Sequence, residues 1–215
     1  EENHDWLRGR EGSFTRAAET IRMAVRSGIA FDVVTCVNRR NYPQLPQLKE
    51  FLIGLGLKEW RLFSIFPQGR AALNPGLQLP PEMFRGMLDF IRETRKEGRI
   101  KASYGCEGFL GPYEGGVRDH FYSCQAGVTV GSVLVDGSIS ACTSIRSDYH
   151  QGNIYEDDFM DVWEHRFQPY RDRSWMRKDD CADCKYWKWC EGNGMHLRDS
   201  DGKLMLCHLK RILDK

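Results

Sequence analysis

Cys181, Cys184 and Cys190 are separated by two and by five residues, and Cys207 lies further along the chain. Two cysteines two residues apart curl around one metal atom or cluster, and a third and fourth thiolate close the coordination shell. Thiolates suit zinc and iron–sulfur clusters alike, so the spacing gives a metal centre without naming the metal. The competing reading of Cys181 and Cys184 is a thioredoxin-like redox pair, against which stand the two further thiols and the absence of a strand leading into the motif. Six of the eight cysteines follow residue 120, and only Cys36 and Cys106 precede it. This change of composition divides the chain into two domains, expected at residues 1–105 and 106–215. Cys36, isolated in an apolar run, reads as a small buried core residue.

Disulfide-dense scaffolds are usually short secreted chains. This chain has 215 residues, 41% of them hydrophobic, and opens on acidic Glu1, Glu2 and Asp5 where a secretory signal would be basic. Its longest apolar runs, such as Phe51 to Leu57, fall far short of the roughly 20 residues that span a bilayer. A cytoplasmic protein with no membrane span is expected. The 31 Lys and Arg against 30 Asp and Glu leave a net charge of +1, which supplies no field for a nucleic-acid backbone. The run Lys185-Tyr-Trp-Lys-Trp189 looks like a base-stacking platform, but Asp179, Asp180, Asp183 and Glu191 cancel its charge. Aromatics shielding a metal centre from water explain it better.

The elements that must position these thiols follow from periodicity. Phe14, Ala17, Ala18, Ile21, Ala24 and Val25 recur at helical spacing between Ser13, read as an N-cap, and Gly28. Ile29 to Val37 reads as a strand covered on both faces, Leu45 to Leu55 as a helix, and Glu59 to Phe66 as a strand. A third helix runs from Pro80 and Pro81 to Gly98, before a strand from Ile100 to Tyr104. Helices and strands alternating at this spacing are βα units of a parallel sheet. Three such strands are too few for a complete layer, so a fragment beginning within a larger α/β fold is expected. In the second half, Asp136-Gly137 between apolar segments reads as a two-residue hairpin turn, which brings Cys124 and Cys142 to one end of a ribbon.

Together these residues resemble the C-terminal part of a radical S-adenosylmethionine enzyme carrying a SPASM domain, a family that includes anaerobic sulfatase-maturing enzymes and maturases of ribosomal peptides. In that family a Cys…Gly-x4-Cys block is followed by Cys-x2-Cys-x5-Cys-x3-Cys and a last cysteine. Here Cys124, Gly137 and Cys142 fit the first block, Cys181, Cys184 and Cys190 the second, and Cys207 the last. Gly152-Asn153-Ile154 looks like the linker between blocks. The first half resembles the later βα units of the family's partial (β/α)6 barrel: His4 to Gly9 looks like the segment after its third strand, and Asn38 and Pro67 to Ala71 like the ends of its fourth and fifth.

The resemblance implies an auxiliary [4Fe–4S] cluster on Cys181, Cys184, Cys190 and Cys207. It implies a first auxiliary site on Cys124 and Cys142, for which Cys106 is the candidate third ligand and His196, or an open position, the fourth. Arg8 and Asn38 would face the S-adenosylmethionine end of the barrel. It further implies radical modification of a peptide or protein substrate, an external electron donor such as flavodoxin or ferredoxin, and auxiliary clusters that carry electrons or anchor substrate. The full-length protein would hold S-adenosylmethionine and a third cluster.

Two positions depart from the pattern. The Cys-x3-Cys-x2-Cys motif of the S-adenosylmethionine-cleaving cluster does not occur in this sequence, so the chain alone is expected to be inactive. Gly194 replaces the fourth cysteine of the second block, which in the family completes the first auxiliary cluster. In addition, Thr143 follows Cys142 where sulfatase-maturing members carry an Asp that acts as a base, which argues against that activity. The alternative in a different class is a non-catalytic binding module in which the four thiols hold structural zinc.

Overall fold

The computed structural model describes residues 1–105 and 108–213. They form two compact units, one of Glu1–Gly105, Pro112–Phe121 and Lys210–Lys215, the other of Cys106–Gly111 and Tyr122–Leu209.

In the first unit, α1 (Glu2–Arg8) and α2 (Ser13–Ser27) precede β1 (Val33–Val37), and α3 (Leu45–Gly54), β2 (Glu59–Ser64), α4 (Pro81–Glu97) and β3 (Lys101–Tyr104) follow. The strands form a parallel sheet in the order β1-β2-β3, with Val33 opposite Trp60 and Trp60 opposite Ala102. Parallel pairing of consecutive strands needs a crossover, and α3 and α4 supply it. The buried face of α4, Phe84, Met87, Leu88 and Ile91, belongs to the same core as Trp60, Leu62 and Ala102.

Two expectations are corrected here. β1 is shorter than Ile29 to Val37 because its pairing begins opposite the start of β2. It is not covered on both faces: burial alternates along it, Val34 and Cys36 are exposed, and Cys36 is therefore no core residue. Nor is Ser13 the cap of α2. Gly12 holds the N-cap position, and the Asp5 carboxylate reaches over from α1 to accept the N–H groups of Gly12 (2.6 Å) and Phe14 (2.8 Å) and the Ser13 hydroxyl. A carboxylate at the positive end of a helix is favoured for the same reason as a side-chain cap.

The second unit is mostly turns. Its small antiparallel sheet comprises β4 (Ser132–Val133), β5 (Ser138–Ser140) and β6 (Gly152–Asn153). The hairpin exists, but its loop has three residues, Val135, Asp136 and Gly137, because Leu134 bonds both Gly137 and Ser138. Gly137, at φ +83°, supplies the left-handed position that closes such a loop. Then come α5 (Phe159–His165), capped by Asp158 through the N–H groups of Met160 and Asp161, α6 (Gln168–Arg171) and α7 (Trp187–Cys190); α8 (His208–Leu213) starts in this unit and from Lys210 belongs to the first. Ile139, Ala141, Val162, Phe167, Tyr170, Met176 and Met195 form one core, and Phe109, Tyr122 and Leu209 a second. Among the described residues no helix is long and apolar enough to cross a membrane.

Candidate metal centre

The thiols of the second unit are set by successive tight turns. The N–H of Cys184 bonds the Cys181 carbonyl, that of Trp187 bonds the Cys184 carbonyl, and α7 then delivers Cys190. Directly after it, Glu191, Gly192 and Asn193 all have positive φ, between 47° and 81°, and reverse the chain. Asn193 is buried, and its carboxamide accepts the Phe109 N–H at 3.1 Å while donating to the Leu206 carbonyl at 3.4 Å. That second bond ties the residue before Cys207 to the turn after Cys190. The hairpin from Leu197 to Met205, turned by Asp199 and Gly202, completes the return.

Electrostatics show what has been brought together. Burial pushes the Cys190 thiol up to about 12, and the neighbouring Cys207, Cys181 and Cys184 add to this against the opposing N–H of Asn193. Cys190 so placed resists ionising until a cation joins it, so metal binding there releases a proton. Cys124, Cys142, Cys181, Cys184 and Cys190 are free thiols. Their side chains are not drawn to bonding distance of a common point: among the described residues, no three Cys, His, Asp or Glu groups form a ready-made metal site. The donor set and its half-buried, aromatic-lined setting nonetheless fit an iron–sulfur cluster. Tyr186, Cys190 and Cys207 pack against one core cluster, with Tyr186 beside Phe109 and Trp189. The lysines of the aromatic run lie over its own rings, Lys188 Nζ being 4.1 Å from the Trp189 centroid.

Cys181 has a partner that residue spacing did not reveal. Arg198 is fully buried and donates to the Gly202 carbonyl (3.0 Å), the Gly192 carbonyl (2.6 Å) and the Cys181 sulfur (3.4 Å). A Cβ on Gly192 would lie 2.9 Å from this guanidinium, so only glycine admits it. His208, also fully buried and adjacent in sequence to Cys207, was likewise not singled out by spacing.

The other anticipated ligands are distributed as follows. Cys124 and Cys142 are half-buried and pack against the same core cluster. The Cys124 carbonyl accepts from Arg173 at 2.8 Å, and that of Cys142 from the Ser140 hydroxyl at 3.1 Å. His196 is buried in the turn Met195–Leu197, and Cys106 lies outside the described residues. In the first unit, Arg8 is exposed at the end of α1. Asn38, just past β1, is buried, and its side-chain oxygen accepts the N–H groups of Arg40 and Asn41, which shapes the turn after the strand.

Residues 124–185 match the family model SPASM, an iron-sulfur cluster-binding domain, which stops short of Cys190 and Cys207. An AdoMet-dependent heme synthase of Methanosarcina barkeri is 26% identical over 212 residues, covering 89% of this chain and 58% of the relative. The antilisterial bacteriocin subtilosin biosynthesis protein AlbA of Bacillus subtilis is 24% identical over 204 residues, covering 91% and 43%. The chain thus spans about half the length of the curated relatives it matches. Among solved structures, native anSMEcpe with bound AdoMet and the Kp18Cys peptide superposes with a TM-score of 0.62 at 18% identity, over 91% of this chain and 57% of that one.

Proposed function

We propose that this chain, which carries a SPASM domain, belongs to the radical S-adenosylmethionine proteins and is the auxiliary-cluster portion of an enzyme that modifies a peptide by radical chemistry. The observation that carries the reading is the match of residues 124–185 to an iron–sulfur cluster-binding domain, in which Cys181 and Cys184 fall and just beyond which Cys190 and Cys207 pack against one core cluster. These four thiols would hold one [4Fe–4S] cluster, and Cys124 and Cys142 would contribute to another, with Cys106 and His196 as the remaining candidates. A cluster bound there supplies a store for single electrons. The chain's own residues bind it as thiolates, and Tyr186 with Phe109 keeps water from Cys190 and Cys207. The first unit would be the later βα units of a partial barrel. Its parallel strand order and its crossovers support this, since among the described strands β1 is an edge strand open to a further neighbour. Arg8 and Asn38 would lie toward its S-adenosylmethionine end. In the whole protein an external one-electron donor would reduce the cleaving cluster.

A peptide substrate is supported by the Bacillus relative, a bacteriocin biosynthesis protein, and by the peptide bound in the similar fold. The haem synthase relative favours a second reading, a tetrapyrrole substrate on the way to haem. The reading of the metal centre is tested by iron, acid-labile sulfide and zinc per chain in protein prepared without oxygen. About four irons per chain are expected from the closed thiol set and about eight if the Cys124 and Cys142 site also fills. Stoichiometric zinc without iron uptake would leave only a zinc-stapled binding module.

A further inference from the structure

Arg198 poses a question that the ligand set alone does not answer. Its guanidinium is fully buried, and among the described residues no carboxylate pairs with it. A buried cation without a counter-charge is strongly disfavoured, and two backbone carbonyls return only part of the lost hydration. Among the described residues its one remaining hydrogen-bond partner is the Cys181 sulfur at 3.4 Å. A neutral thiol is a weak acceptor and offers no charge in return; a thiolate offers both. Gly192 and Gly202 hold the fork in place through their carbonyls, and the absent side chain of Gly192 makes room for it.

Resting on the reading of Cys181, Cys184, Cys190 and Cys207 as cluster ligands, we infer that Arg198 is a positioning residue that sets the reduction potential of that cluster through the Cys181 thiolate. Four thiolates leave the oxidised site anionic, and reduction adds one more negative charge. A guanidinium fixed against one ligand stabilises the reduced state more than the oxidised one and so raises the potential. The step is the entry of one electron from a one-electron reductant, with no bond formed or broken.

The test is a redox titration of the full-length protein, prepared without oxygen, with reduced iron–sulfur signals read by electron paramagnetic resonance. The relevant signal is identified by its loss in Cys184→Ala. In Arg198→Gln, at a fixed potential, the ratio of reduced to oxidised cluster is expected to fall about tenfold, which is 59 mV for one electron. Arg198→Lys, which keeps the charge but not the fork, should recover part of the difference. An unchanged ratio in an iron-loaded Gln variant overturns the inference and leaves the cluster intact. Absence of iron from the parent protein overturns the underlying reading instead. If the Gln variant does not fold, the parent protein labelled with 15N-arginine decides. A nitrogen coupling to the reduced cluster that changes with the label supports the contact, and its absence overturns it.

Discussion

At the scale of the residue, the molecule repeatedly spends a polar side chain on the backbone of a distant segment. Asn193 spans Phe109 and Leu206, and by doing so fixes Cys207 near Cys190. Asp5 does the same for the start of α2. Burial acts to raise the pKa of its carboxyl, but the Phe14 N–H, the Ser13 hydroxyl, the Gly12 N–H and His4 outweigh it and hold the group at about 2. A carboxyl depressed on folding contributes stability that is fully present above its unfolded value near 4 and is lost as pH falls through its folded value. The amide resonances of Gly12 and Phe14 should therefore titrate with a midpoint at about pH 2. In Asp5→Asn that titration should vanish and the start of α2 should fray at neutral pH. A midpoint near 4 in the parent protein would show that the carboxylate is not capping. Neither Asn193 nor Asp5 was marked as a linker by its neighbours in sequence, because each acts on a segment whose position only folding supplies.

At the scale of the element, helices with strong periodicity and clear ends were the most legible. Pro81 at the start and Gly98 at φ +74° beyond the end bracket α4 as the sequence implies. The hairpin loop was legible in place but not in length, since Asp-Gly fits both a two-residue turn and the last two positions of a three-residue loop. The short α5 depends on its cap more than on its length, because seven residues form too little helix to be stable alone. Asp158 accepts the N–H groups of both Met160 and Asp161. Asp158→Ala should lower the stability of the second unit by about 1 kcal/mol, seen as a lower urea midpoint with an unchanged slope. The neighbouring Asp157, bonded to the Asn153 N–H and Arg166, holds the linker after β6 and would be left in place.

At the scale of the whole molecule, the two units divide the work: a parallel α/β sheet in one, and a turn-rich fold with its cysteines in the other. A fold is shared by enzymes with different substrates, so the substrate has to be decided by binding. With the full-length protein, a cysteine-containing peptide is expected to bind saturably by calorimetry while an iron porphyrin leaves its own absorption band unshifted on mixing. The opposite pattern would favour the tetrapyrrole reading.

The sequence by itself determined the three longer helices and three strands of the first unit, though not α1, together with the likeness to a family with a cluster-binding domain and the chemical nature of the donor set. These depend on local periodicity and on spacings of a few residues, which the chain carries wherever it folds. Tertiary structure decided that Cys36 is exposed, that Asp5 rather than Ser13 caps α2, and that Cys207 returns to Cys190 through Asn193. It also decided that a buried guanidinium meets Cys181 across 17 positions of sequence. Burial and long-range hydrogen bonds are properties of which surfaces meet, and no local pattern of residues encodes that meeting.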